Sequence, residues 1–195
     1  MFIDCFWEKI NYDKGMSYSE IISRFISEKR IAVVGCSGLI DKTNFGSYID
    51  SYDVVIRCDD SWIRQRNSDV GHRTDILFHS TSICDMKIFC LHPRVSLVVW
   101  LGKENEEVVR ANRFLRVLET PYVQIDNPPN HLLTCTNVID LVWSFDPAEL
   151  YLVGCDFYSS INPDQEWICS NLLYNPKVVM ADHVKHALLN TAIKI

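Results

Sequence analysis

Residues 30–50 read Arg-Ile-Ala-Val-Val-Gly-Cys-Ser-Gly-Leu-Ile-Asp-Lys-Thr-Asn-Phe-Gly-Ser-Tyr-Ile-Asp. The run Ile31-Ala32-Val33-Val34 is apolar without alternation and is stopped by Gly35, which suits a strand buried on both faces of a parallel sheet. After it, Gly35-Cys36-Ser37-Gly38 supplies two glycines that let the chain turn sharply, and Ser37 adds a hydroxyl. A turn of this kind brings backbone amides close to an anion at a helix start, but it also serves simply to reverse the chain. The stretch therefore reads as a strand, a turn and a helix with a candidate phosphate site.

Outward from it, the same kind of run recurs at Asp53–Ile56, Asp75–Phe78, Ser96–Leu101, Tyr122–Ile125 and Glu149–Val153, with a weaker one at Val178–Met180. Helical periodicity lies between them, over Asn105–Leu118 and about Leu132–Ser144. Ahead of the first strand, Ser17 and Glu20 have capping-box spacing before Ile21, Ile22, Phe25 and Ile26, predicting a helix over about 18–29. Strands alternating with helices imply right-handed parallel crossovers. The expected fold class is α/β: one Rossmann-like domain whose mostly parallel sheet has six or seven strands flanked by helices. Residues 1–29 are expected to be an N-terminal segment and helix packed on the domain formed by residues 30–195, with one globular unit overall.

Composition fits that reading, with 48% hydrophobic and 23% charged residues. A net charge of −6 disfavours duplex nucleic acid as a partner, because phosphate neutralisation needs clustered cations. The gathering at Lys103, Arg110, Arg113 and Arg116 is expected to be a solvated helix face. No apolar run is long enough to span a bilayer, and the start MFIDCFWEK lacks signal-peptide character. Eight cysteines without a CxxC pair indicate neither a zinc site nor a disulfide framework, so reduced thiols in a cytoplasmic protein are expected.

Ligands of open parallel sheets sit beyond the carboxyl ends of the strands. At the end of the second strand, Asp59 and Asp60 of Arg57-Cys58-Asp59-Asp60 stand where such folds place an acid on ribose hydroxyls. The alternative is that they cap the following loop.

Two longer stretches carry a resemblance. RIAVVGCSGLIDKTNFGSYIDSYDVVIRCDD (30–60) with DVGHRTDIL (69–77) resembles the large sialylmotif of family 29 glycosyltransferases, through Gly35, Ser37-Gly38, Gly46, Ile49-Asp50, Asp53, Arg57, Val70-Gly71 and Arg73-Thr74. PPNHLLTCTNVIDLVWSFDPAELYLVGCDFY (128–158) is similar to the small sialylmotif, in the form seen in bacterial and phage-type members. The resemblance implies a GT-A-like variant of the Rossmann-like fold and a metal-independent, inverting transfer of a sugar from a nucleotide-linked donor, CMP-linked in the family, to a hydroxyl acceptor. No cofactor is implied. It assigns donor binding to Gly35, Cys36, Ser37, Gly38, Asp59, Thr134, Cys135 and Thr136, and the general base to His183, with His186 as the alternative. An imidazole titrating near neutrality suits proton removal from an acceptor hydroxyl.

The chain departs from the family pattern at Cys36 and Asp59, where the family has asparagine, at Thr136, where it has glycine, and at Leu188, where it has glutamate. The family's disulfide positions fall on Ile31 and Pro147. Their joint loss fits a cytoplasmic enzyme of bacterial or viral type. Two other functions remain open: a catalytically inactive module on the same fold that binds a nucleotide or a protein, and an NAD- or methyl-donor-dependent Rossmann enzyme, although Ser37 breaks the Gly-x-Gly-x-x-Gly pattern. The acceptor, a glycan or another hydroxyl compound, is expected to meet the loops Ser80–His92 and Ser159–Asn175.

Overall fold

The computed structural model describes residues 16–35, 40, 42–59, 67–83, 95–129, 134–155 and 176–181. Seven strands form one sheet: β1 (Arg30–Val34), β2 (Val54–Cys58), β3 (Ile76–Ser80), β4 (Leu97–Leu101), β5 (Tyr122–Ile125), β6 (Glu149–Val153) and β7 (Val178–Met180). The helices are α1 (Tyr18–Ile26), α2 (Gly46–Ile49), α3 (Asn67–Val70), α4 (Glu106–Val117) and α5 (Thr134–Ser144).

All strand pairs are parallel, in the order β5-β4-β3-β2-β1-β6-β7. The chain thus winds outward from β1 to β5, then returns to the other side of β1 and continues outward through β7. In the register, Ala32 lies between Val55 of β2 and Tyr151 of β6. The order reverses between β1 and β6, and that point is where open parallel sheets gather their ligands.

Both faces of the sheet are covered, which is why the strands read as unbroken apolar runs. Ile76, Phe78, Leu97 and Val99 join the larger core with α1 and α5. The alternate residues Leu77, Val98 and Trp100 face Val108, Ala111 and Leu115 of α4. Ile22 and Ile26 anchor α1 in the larger core, fully buried. Each such side chain contributes roughly 1.5–3 kcal/mol relative to exposure.

The capping box is present at Ser17 and Glu20. The first helix ends at Ile26, earlier than about residue 29, because Glu28 adopts a left-handed backbone (φ 60°). Asn105 caps α4, accepting from the Val108 amide at 3.0 Å. β2 and β3 begin one residue and end two residues later than the apolar runs suggest, since Asp53 and Asp75 serve as bonding residues at the edges; β4 begins one residue later, and β5, β6 and β7 have the expected bounds. Asp53 accepts from the Arg30 amide at 2.8 Å, and Asp75 from the Val55 amide at 2.7 Å.

The basic residues of α4 are exposed, as expected of a solvated face, and two of them are locally paired. Arg110 bonds Glu107 at 2.9 Å, and Arg116 donates to the Tyr122 hydroxyl. Among the described residues, no helix is long and apolar enough to cross a membrane. Residues 1–15, with Phe2, Phe6, Trp7 and Tyr12, lie outside the described residues.

Candidate nucleotide site at the sheet switch point

At the carboxyl ends of β1 and β6 two glycines meet. The Gly35 amide donates to Val153 O at 2.9 Å, extending the sheet by one bond. A β-carbon on Gly35 would lie 2.3 Å from Gly154 O and 2.9 Å from Cys155 Sγ. Gly154 has a left-handed backbone (φ +66°), which a side chain would strain. Gly35 itself is outside that region. Its requirement is therefore the close approach of a second strand end, and not turn conformation, the reason its neighbours in sequence suggest.

The first turn of α5 reaches the same point. Cys135 Sγ lies 3.2 Å from Cys155 Sγ, and Cys135 also bonds the thiol of Cys58 at the end of β2. That bond first, and burial second, push the Cys58 thiol well above the usual thiol range. Thr136 is fully buried in this turn, and its hydroxyl oxygen has no hydrogen-bond partner among the described residues. Gly35, Cys58-Asp59, Thr134–Thr136 and Gly154-Cys155 are thus brought to one end of the sheet from four segments of the chain. A buried hydroxyl without a partner among the described residues, beside helix amides, offers hydrogen bonds to an anionic or sugar-bearing ligand.

Asp59 holds a left-handed backbone (φ 50°) just past β2. Its Oδ1 accepts from the Ser80 amide at 2.9 Å and stands 3.4 Å from Nδ1 of His79, a fully buried side chain. Asp59 thus ties the end of β2 to that of β3. Cys36, Ser37, Gly38, Asp60, His183, His186 and Leu188 lie outside the described residues, as does most of both acceptor-loop candidates.

Most of the polar residues in the first long motif build the scaffold. Arg57 is buried, with Nε donating to Arg73 O (3.1 Å) and Thr74 Oγ1 (3.0 Å), and Nη2 donating to Val70 O (2.6 Å). Burial brings its guanidinium down to about 10, against the opposing pull of Asp50 and Asp75. The Asp50 carboxylate accepts from the amides of His72 (2.8 Å) and Arg73 (3.0 Å). Arg73 in turn donates to Asp50 O, Tyr52 O and Asp53 O, and pairs with Asp75 at 2.8 Å. Gly71 (φ +77°) leaves space for Asp50, whose Oδ1 would lie 2.3 Å from a β-carbon there. The motif locks the segment 67–75 against β2, and so fixes where the crevice begins.

The model of glycosyltransferase family 29, the sialyltransferases, matches residues 22–111. A crystal structure of a mammalian sialyltransferase in complex with Gal-beta-1-3GalNAc-ortho-nitrophenol superposes with a TM-score of 0.55 at 17% identity, over 82% of this chain and 71% of that one. A second mammalian sialyltransferase structure gives a TM-score of 0.53 at 16% identity, over 81% and 70% of the two chains. The fold is a sialyltransferase fold.

No curated protein matches the chain in sequence. The family match runs from the middle of α1 through the first half of α4 and stops short of the second stretch, residues 128–158. Within the sialyltransferase fold, the matched part contains the Asp50–Arg57–Arg73 network and Gly35. The α5 and β6 contributions to the crevice stand on the geometry given above. What the sequence alone missed is the role of Gly154 and Cys155: the Gly35 signal is visible as a turn, but its partner lies far along the chain and touches it only once β6 is placed beside β1.

Proposed function

We propose that this chain is a glycosyltransferase that takes its sugar from a CMP-linked donor held at the β1–β6 switch point. The observation that carries the reading is the arrival of the first turn of α5, with the buried Thr136 hydroxyl, at the Gly35–Gly154 contact of a sialyltransferase fold. In this reading Gly35, Cys36, Ser37 and Gly38 surround the donor phosphate, together with Thr134, Cys135 and Thr136. The acceptor hydroxyl attacks the anomeric carbon directly and inverts it, and His183, or His186 in its place, removes the proton. The CMP phosphate is already a stabilised leaving group, so amide and hydroxyl donors suffice without a metal. A bacterial or viral cytoplasmic setting belongs to the same reading, from the loss of the family's disulfide positions at Ile31 and Pro147.

The test is release of free nucleotide from a panel of nucleotide sugars, with and without simple sugar acceptors. Turnover of a CMP-linked donor, at least about 100-fold lower in His183→Ala, is the expected result for a general base. No turnover of any donor by a folded protein overturns the catalytic reading.

One observation favours a second reading, an inactive nucleotide-binding module. Asp59 and Cys135, both at donor-contact positions by resemblance, are engaged by Ser80 and His79 and by Cys58 and Cys155. Stabilisation by CMP without transfer would select it.

A further inference from the structure

Three thiols from distant parts of the chain meet at one end of the sheet: Cys58 at the end of β2, Cys135 in the first turn of α5, and Cys155 after β6. Among the described residues no group of three His, Cys, Asp or Glu side chains is arranged to hold a metal ion. Two of its sulfurs, those of Cys135 and Cys155, are 3.2 Å apart. Cys155 is 3% exposed and Cys58 5%, whereas Cys135 is only partly buried. Oxidants therefore reach Cys135 first, and the sulfur waiting beside it is that of Cys155.

We propose that Cys135 and Cys155 form a redox pair in which a peroxide converts the two thiols to a disulfide that ties the first turn of α5 to the end of β6. The Cys135 sulfur attacks one peroxide oxygen, the O–O bond breaks, and hydroxide leaves with the thiol proton as water. The resulting sulfenic acid is attacked by Cys155, an S–S bond forms as the S–O bond breaks, and a second water departs. Two thiols lose two electrons and one hydrogen peroxide becomes two waters.

The start of a helix favours thiolate chemistry, because its amide dipoles stabilise negative charge on sulfur. Cys58 takes the opposite part. Its thiol is held protonated by its bond to Cys135 and by burial, so it is the poor nucleophile of the three. The pairing joins residues of the second long motif to each other, at positions other than those of the family disulfide, Ile31 and Pro147.

The test uses the full chain in its reduced form. Limiting hydrogen peroxide is added, remaining thiols are alkylated under denaturing conditions, and peptides are mapped by mass spectrometry. The expected product is a Cys135–Cys155 crosslinked peptide that dithiothreitol reverses and that still forms in Cys58→Ala. In Cys155→Ala, dimedone is expected to trap a sulfenic acid on Cys135. If that variant does not fold, dimedone added to the wild-type protein at early times gives the same information. Both cysteines recovered as alkylated thiols while other cysteines have oxidised, or a crosslink from Cys135 to Cys58 instead, overturns the proposal. The disulfide does not depend on the nucleotide reading: a crosslink in a protein that never responds to CMP counts against that reading and leaves this one standing.

Discussion

A β-carbon on Gly35 would sit 2.3 Å from the carbonyl oxygen of Gly154, so the ends of β1 and β6 are in backbone contact where the strand order reverses. No residue with a side chain fits at Gly35 unless those two ends move apart. The mouth of the crevice is therefore set by two glycines 119 positions apart in sequence, and its geometry depends on both.

Gly35→Ala is expected to destabilise the protein by about 1–3 kcal/mol through overpacking, and Gly154→Ala by about 1–2 kcal/mol through its left-handed backbone. Urea denaturation measures both. Unchanged midpoints would mean that the strand ends separate freely and do not define the crevice.

Arg57→Leu removes the donor to the carbonyls of Val70 and Arg73 in a buried setting. The expected loss is about 3 kcal/mol or more, since buried carbonyls left without donors cost about 1–3 kcal/mol each. Arg57→Lys should recover only part of it, because an ammonium cannot reproduce the planar fork. Full recovery by lysine in thermal or chemical denaturation would show that charge alone matters there.

Asp75 is expected to titrate above the ordinary aspartate value, with burial outweighing the bonds from Val55 and Arg73 that pull the other way. A carboxyl whose folded pKa is raised binds its proton more tightly in the folded state. Its contribution to stability is thus greatest below the unfolded value of about 3.9 and declines as pH rises through the folded value. Carboxyl carbon shifts followed by NMR give the midpoint directly. A midpoint below that of free aspartate would mean that the Arg73 pair dominates.

Thr136→Val replaces a buried hydroxyl that has no partner among the described residues with a methyl of similar shape. Stability is expected to hold or rise slightly, as it does when an unsatisfied polar group is removed. Nucleotide affinity is expected to fall several-fold. Loss of stability with unchanged affinity, in paired melting and binding measurements, would assign Thr136 to the fold instead.

Much of this architecture is legible in the chain. The continuous runs at Ile31–Val34 and Glu149–Val153 say that the strands are covered on both faces, and β5, β6 and β7 fall where their apolar residues lie. The helix periodicity of 105–118 is that of α4, with Asn105 as its cap. Two things are not legible. Neighbouring strands are set by tertiary packing, so nothing in the sequence puts Val153 beside Val34, and hence Gly154 beside Gly35. For the same reason Cys58, Cys135 and Cys155 look scattered, although the sheet brings all three sulfurs to one end. Asp50, Arg57 and Arg73 are conspicuous as motif residues, but a pattern of letters cannot separate those that touch a ligand from those that fasten a loop.

The most direct measurement of the central claim is the melting temperature of the reduced protein with CMP, with UMP and with no nucleotide, each in EDTA. At a concentration about 100 times the dissociation constant, a ligand specific to the folded state adds about 2.7 kcal/mol, or a rise of roughly 5 °C or more for a domain of this size. That rise is expected with CMP, a smaller one with UMP, and a reduced one with CMP in Thr136→Val. No rise with either nucleotide would contradict a nucleotide site at the Gly35–Gly154 contact.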